Sequence, residues 1–496
     1  MDTQQKTVLV DALRKHLNNR VVRFDVPGHK GGRGNKEFRD FIGEEAMKMD
    51  VNSMKPLDNL CHPTSVIREA QDIAAKAFGA KEAYFMVSGT TGSVQAMIMS
   101  TCKAGDKLIM PRNVHRSAIN ALVICGATPV YINPGLNKKL GISLGMSVSD
   151  VKKAIKENPD AKAILVNNPT YYGICSDLKS IVKLAHENNM LVLVDEAHGA
   201  HFYFGDNMPI SAMAAGADMA AISMHKTGGS LTQSSILLSG ERINADYVRQ
   251  IINLTQTTSS SYLLLTSLDA ARKNLSINGK ALFKKTIDFA EYARTEINKL
   301  GGFYAYGREL IDNDMVCDFD STKLSVFTKD IGLAGIEVYD ILRDEYNIQI
   351  EFGDLGNILA IISAGDRGLE IERLISSLAE IKRLYSKDSA GMFYHEYIDP
   401  IVVMPPQKAF FSNKQYIPII ESAGKISGEF VMAYPPGIPI LAPGEKITEE
   451  IISYIMYAKE KGCLLTGTED MKVEFINVID DNPNSIPYNP VLEEDE

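Results

Sequence analysis

Between about residues 80 and 240, seven short apolar runs, AYFMV, DKLIMP, TPVYIN, AKAILV, MLVLVD, MAAISM and SSILLS, alternate with helix-like stretches. A strand apolar at nearly every position has to be covered on both faces, and strands separated by helices have to run parallel. The pattern therefore predicts an α/β fold with a mostly parallel sheet between two helical layers. In such sheets ligands collect at the carboxyl ends of the strands. The polar residues that directly follow each run are Ser88-Gly89-Thr90-Thr91, His115, Asn168-Pro169-Thr170, Asp195-Glu196-Ala197-His198 and His225-Lys226.

A chain of 496 residues exceeds one ordinary core, so smaller domains should accompany the sheet. Residues 270 to 300 carry helical periodicity without proline and read as a long connecting helix. After it, KLSVFT, IQIEF and ILAIISAG read as strands and LEIERLISSLAEIKRLY as an amphipathic helix, giving an α+β unit. We divide the chain into an N-terminal segment (1–50), a large domain (51–300), a small α+β domain (301–390) and a C-terminal domain (391–496) that ends in an acidic, proline-containing tail. The net charge of −10, with no basic stretch, argues against nucleic acid and suits a cationic ligand. Cys61, Cys102, Cys125, Cys175, Cys317 and Cys463 form no CxxC pair and have no histidine at ligand spacing, which points to reduced thiols, no metal and a cytoplasmic setting. Neither a signal-peptide core nor a run of 18 apolar residues is present, so membrane insertion is not expected.

Two residues carry the chemical argument. Asp195 follows a buried-strand pattern, so its carboxylate either pairs with a cation, such as the protonated ring nitrogen of a pyridoxal cofactor, or is a plain helix cap that accepts from backbone N–H groups. Lys226 lies one strand-helix-strand crossover later, among the donors Ser223, His225 and Thr227 and before Gly228-Gly229. A lysine desolvated in a cleft becomes a nucleophile able to form an imine, whereas a solvated loop lysine does not. Ser88 to Ser93 precede a helical stretch and can form an anion cradle or an ordinary cap. No Lys follows them, which removes the nucleotide-binding P-loop alternative. His115 and His198 can each stack on a ring or cap a helix.

Taken together, PGHKGG (27 to 32), SGTTGS (88 to 93), PRNVHRS (111 to 117), NPTYYG (168 to 173), VDEAHGAHF (194 to 202), SMHKTGGSLTQSS (223 to 235) and YPPGIPILAPGE (434 to 445) resemble the Orn/Lys/Arg decarboxylases of fold-type I. The similarity covers nearly the whole chain and follows the short bacterial form, without the N-terminal wing of the larger enzymes. It implies an aspartate aminotransferase-like large domain with a mostly parallel seven-stranded sheet, a pyridoxal 5'-phosphate cofactor, and a homodimer or higher oligomer with shared active sites. It further implies Lys226 as the Schiff-base lysine, Asp195 as the partner of the pyridinium, Ala197 beneath the ring and His115 stacked on it. Gly89, Thr90, Thr91, Ser223 and His225 would hold the phosphate, and His198 would lie near the imine. Glu429, Asp58 and Asp354 are the acidic candidates for the cationic end of the substrate. Ser260, Ser261 and Tyr262 would reach a neighbouring subunit's cofactor.

The reaction implied is decarboxylation of a basic amino acid in polyamine synthesis, with arginine (to agmatine) ahead of lysine and ornithine. Asn59 departs from the family's pattern, which commonly has a second acid there, so side-chain selectivity stays open. An aminotransferase on the same fold would clamp the substrate carboxylate with an arginine, for which Arg367 is the candidate. A non-catalytic homologue is the remaining alternative, and joint retention of Lys226 and Asp195 argues against it.

Overall fold

All seven apolar runs become strands of one sheet in the computed structural model, which describes residues 3–388, 399–433 and 437–480. The strands are β1 (Glu82–Met86), β2 (Lys107–Pro111), β3 (Thr128–Ile132), β4 (Ala163–Asn167), β5 (Leu191–Asp195), β6 (Met219–Ile222) and β7 (Ser235–Ser239). Their order across the sheet is β1-β7-β6-β5-β4-β2-β3. Only β7 is antiparallel, to both of its neighbours. Alternate side chains feed two cores: Val192 and Val194 of β5 point into one and Leu193 into the other, all fully buried. Each such side chain contributes about 1.5–3 kcal/mol when buried, so the central strands tolerate no polar residue before their carboxyl ends.

The helix Tyr262–Leu300 begins eight residues before the stretch marked by the sequence. Ser261 caps it by accepting from the Leu264 N–H. Its first turns pack Leu265, Leu268 and Leu275 into the large core, and its last turns pack Ala290, Ala293 and Ile297 into a separate core. That second core lies against β8 (Tyr304–Tyr306), β9 (Lys323–Phe327), β10 (Phe352–Gly353) and β11 (Asn357–Ile361), which form an antiparallel sheet of order β8-β9-β11-β10. The helix Gly368–Tyr385 covers it. The expected strand IQIEF shrinks to β10. Asn347 adopts φ +52° and the Ile348 N–H returns to the Leu342 carbonyl, so this segment closes the preceding helix, Gly335–Asp344, instead of extending a strand.

A further set of short strands follows. Lys414–Pro418 pairs with Phe475–Ile479, and Val431–Ala433 lies between Ile438–Leu441 and Leu465–Thr466. Phe430, Met432 and Ala442 join the large sheet's second core, which fixes this unit against it. At the other end of the chain, the helix Val8–Asn18 sends Leu9 and Leu13 into the first core, and the Leu9 N–H donates to Asp269. Tyr434–Pro436 of the YPPGIP motif and the acidic tail lie outside the described residues.

Candidate active site

β5 and β6 are parallel neighbours with Asp195 opposite Ala221, so Asp195 and Ser223 emerge side by side at the strand ends. The chain then makes one helical turn, Met224–Thr227, and this turn presents Lys226. Its Nζ lies 2.7 Å from His198 Nε2 and 4.9 Å from the centroid of the Tyr171 ring. The Tyr171 and His198 rings are themselves 4.1 Å apart. Burial lowers Lys226 to about 8, against the opposing pull of Asp195 and Glu351 and with help from the Lys323 charge. His198 is driven well below its ordinary value, first by burial and then by Lys226. The imidazole is therefore neutral, and its Nε2 accepts from the lysine while Nδ1 is buried with no partner.

Asp195 is 7% exposed and accepts a single hydrogen bond among the described residues, from the Ala197 N–H at 3.2 Å. Burial raises its pKa and the charge of Lys226 draws it back down. A buried carboxylate so poorly satisfied is costly unless a second cation or donor joins it.

The anion cradle is the first turn of a helix, not a loop before one. The helix Gly89–Met99 opens at Gly89, which has φ +71°. Thr90 Oγ1 meets the Ser223 hydroxyl and donates to Ser235 Oγ at 3.0 Å, while Ser235 donates to the Ile222 carbonyl at 2.8 Å. These hydroxyls tie the helix start to the ends of β6 and β7. Thr91 is exposed beside them, and the Ser88 hydroxyl is buried without a partner. His115 caps the helix Arg116–Cys125, its Nδ1 accepting from the Ser117 N–H at 3.2 Å. Burial, then Lys226 and Arg116, lower it to about 4 and keep the ring neutral. His225 donates from Nδ1 to the Ser234 carbonyl at 2.9 Å.

Orphaned donors at Ser88 and His198, an under-satisfied Asp195, a lysine of lowered pKa and an open helix start fit one kind of group. It is an anionic aldehyde with a protonatable ring, as in pyridoxal 5'-phosphate. Lys226, Asp195, Ser223, Thr90, Thr91, Gly89, Ala197, His115, His198 and His225 all lie at the strand ends or on the turns that leave them.

The acidic candidates do not join this cluster. Asp58 accepts from the backbone N–H groups of Asn59, Thr64, Ser65 and Ile67. Glu429 accepts from the N–H groups of Glu469 and Asn477 within its own unit. Asp354 accepts from Tyr172, Gly356 and Asn357. The acid that does share a cavity with Lys226 is Glu351, with His225, Ile361 and Ser363, in a space of about 300 Å³. A larger cavity of about 570 Å³ is lined by residues that include Asp354, Tyr172 and Arg112 but not Lys226, which opens on the smaller one. Arg367, the aminotransferase candidate, is exposed and paired with Glu370. Tyr262 is fully buried, its hydroxyl donating to the Leu57 and Asp58 carbonyls, whereas Ser260 keeps a buried hydroxyl without a partner. Among the residues missed, Tyr171 carried a usable signal, since it stands in the turn after β4. Glu351 carried none, because it comes from the other unit and precedes a strand of only two residues.

Residues 7–369 match the family model for the Orn/Lys/Arg decarboxylase major domain, and residues 388–471 match that for the C-terminal domain. The chain is 46% identical over 482 residues to an arginine decarboxylase of Bacillus subtilis (strain 168), covering 96% of this chain and 98% of that protein. The same identity and coverage hold for an arginine decarboxylase of Bacillus anthracis. The structure of the Francisella novicida lysine decarboxylase superposes with a TM-score of 0.84 at 23% identity, covering 96% of this chain and 82% of that one. The E. coli constitutive lysine decarboxylase gives 0.81 at 21%, with the same coverage of both chains. These two likenesses speak for the fold, whereas the family models and the Bacillus relatives match nearly the whole sequence. The chain belongs to the Orn/Lys/Arg decarboxylase family of fold-type I pyridoxal-phosphate enzymes.

Proposed function

We propose that the chain decarboxylates L-arginine to agmatine, with lysine and ornithine as the competing substrates. The observation that carries the choice of arginine is the 46% identity, across 96% of the chain, to the Bacillus subtilis arginine decarboxylase. Pyridoxal 5'-phosphate, when bound, supplies an electron sink for the pair left on the α-carbon as CO2 departs.

Lys226 holds the cofactor, and its amine, lowered to about 8, reaches the reactive neutral form at far less cost than an ordinary lysine. Asp195 supplies the negative charge that keeps the ring nitrogen protonated. The hydroxyls of Thr90, Thr91 and Ser223, with the backbone turn at Gly89 and the ring of His225, would gather at the phosphate end. Neutral His115 offers its face for stacking, and Ala197 is small enough to let a ring lie against β5. His198 Nε2, at 2.7 Å from Lys226 Nζ, relays a proton between that amine and the substrate carbon. Burial around Lys226 and His198 excludes water and favours loss of a charged carboxylate as neutral CO2.

In this reading the chain has a cofactor-binding large domain (51–300), a small α+β domain (301–390) that brings Glu351 to the Lys226 cavity, a C-terminal domain (391–496) and an N-terminal segment (1–50) at a subunit interface. Val22, Phe24 and Phe41 of that segment are 76%, 95% and 83% exposed in the single chain, which supports a homodimer. No helix among the described residues is long and apolar enough to cross a membrane, and the six cysteines form no disulfide, both in keeping with a cytoplasmic location. Incubating the purified protein with arginine, lysine and ornithine and measuring the product amines tests the reading. Agmatine should form fastest, and equal rates on all three would defeat the arginine preference.

A further inference from the structure

Behind Lys226 lies a cluster of charged groups for which the proposed chemistry has no use. His201, Asp320 and Lys323 are all essentially inaccessible, with side-chain exposures of 1%, 0% and 0%. Asp320 accepts from Lys323 Nζ at 2.6 Å, from the Thr322 N–H at 3.0 Å and from the Thr322 hydroxyl at 2.7 Å, and it lies 3.0 Å from His201 Nε2. Since the carboxylate only accepts, His201 Nε2 carries the proton, and Nδ1 is left to accept from the Thr227 hydroxyl at 3.2 Å. Lys323 Nζ reaches the His198 carbonyl at 3.4 Å.

Two arms therefore leave Asp320. One ends on Thr227, the residue after Lys226. The other ends on the backbone of His198, whose ring touches Lys226. A third connection runs to the loop bearing Tyr171: the Asp320 N–H donates to the Gly173 carbonyl at 2.7 Å. Gly173 has φ +90°, and a Cβ there would stand 3.0 Å from the Asp320 carbonyl and 3.1 Å from Lys323 Cγ, so no larger residue lets that loop sit so close. Asp320 and Lys323 belong to the smaller sheet's unit, while all three anchored segments belong to the large one.

We propose that Asp320 and Lys323, acting through His201, Thr227 and the His198 carbonyl, are positioning residues that hold Lys226, His198 and Tyr171 in register for the reaction and couple that register to the seating of the small sheet on the large one. The proposal rests on Lys226 being the lysine that holds the cofactor. The charge of Lys323 also bears on Lys226, alongside those of Asp195 and Glu351, and on His198, where it adds to that of Lys226. Burial alone would raise Asp320, but His201 and Lys323 outweigh it and hold the carboxyl far below the usual range. The cluster thus presents a fixed dipole, Asp320 negative and Lys323 positive, to the reactive turn.

The test uses the cofactor-loaded enzyme with Thr227→Val and with the double variant Asp320→Asn/Lys323→Met. The double variant removes both charges together and so avoids a lone buried ion. Three quantities are read: the thermal midpoint, kcat against KM for arginine, and the pH midpoint of the absorbance of the Lys226–cofactor imine. Thr227→Val should keep KM, lower the thermal midpoint only slightly and lower kcat about fivefold, the scale of one buried hydrogen bond. The double variant should lower kcat at least about tenfold and raise the imine midpoint by about half a pH unit, because Lys323 bears on the Lys226 amine and Asp320, the charge lost with it, does not. If Thr227→Val, or a double variant that folds, retains both the parent kcat and the parent imine midpoint, the cluster only supports the fold and the proposal is overturned. If the double variant does not fold, Thr227→Val alone decides. Absence of imine absorbance in the parent enzyme would instead bring down the cofactor reading itself.

Discussion

Asp58 and Asp195 are buried almost equally, at 6% and 7% exposure, and do opposite things. Four backbone N–H groups converge on Asp58, and their hydrogen bonds outweigh the penalty of burial, so its pKa is lowered. It is the bracket that closes the turn before the helix Val66–Ala77. Among the described residues a single N–H reaches the Asp195 carboxylate and Lys226 is its charged support; burial prevails and its pKa is raised. Burial alone does not separate a structural acid from a reactive one. What separates them is how much of the acceptor capacity the chain itself fills, and the unfilled remainder is what a cofactor can use.

Exchanging each acid for its amide sharpens the contrast most. Asp195→Asn should lower kcat by about 10²- to 10³-fold, the scale of one lost electrostatic contact in a reactive site, while the thermal midpoint of the apo-protein holds or rises. Asp58→Asn should do the reverse, destabilising the fold by about 1–3 kcal/mol through unsatisfied N–H groups with kcat unchanged in the protein that remains folded. Calorimetry and initial rates on the two variants read both effects. A well-folded Asp58→Asn with Asp195-like kinetics would break the comparison.

Glu429 extends the same test. Its carboxylate accepts from Glu469, from the Asn477 backbone and from the Asn477 side chain, so Glu429→Gln should shift the unfolding midpoint and leave KM for arginine unchanged. A tenfold rise in KM, measured on folded protein, would restore Glu429 as a substrate contact.

A subtler effect concerns Glu196, the neighbour of Asp195 on the opposite face of the strand end. Burial raises its carboxyl to about 8, against the hydrogen bonds from Tyr203 and Ala212. The folded chain keeps this proton up to about pH 8, whereas the unfolded chain releases it near the ordinary 4.5. Stability from this group is thus complete below pH 4.5 and is lost as the pH rises to about 8. Glu196→Gln has no proton to lose. Its thermal midpoint relative to the parent should climb between pH 5 and pH 8, and a difference independent of pH would contradict the assignment.

The large sheet was legible because its strands are buried on both faces and therefore write continuous apolar runs. The reactive residues were legible for the same reason: a polar side chain directly after such a run stands at the sheet's open edge, as Asp195 and His198 do. Legibility fell where structure depends on partners distant in sequence. Asp58 and Glu429 announce a charge, but the N–H groups that occupy them come from turns and strands whose geometry no local pattern records. The helix start at Gly89 was hidden by Ser, Thr and Gly, which serve equally as loop and as first turn. Glu351, Asp320 and Lys323 belong to the small sheet's unit, and only packing of the two sheets brings them to Lys226.

Every role assigned to the strand ends depends on an imine between the ε-amine of Lys226 and a pyridoxal aldehyde. Treating the cofactor-loaded enzyme with borohydride and mapping its peptides by mass tests this directly. One reduced pyridoxyl-phosphate adduct per chain is expected, on the peptide containing Lys226, and none after Lys226→Ala. An adduct on another lysine, or one that persists in the Lys226→Ala enzyme, would contradict it.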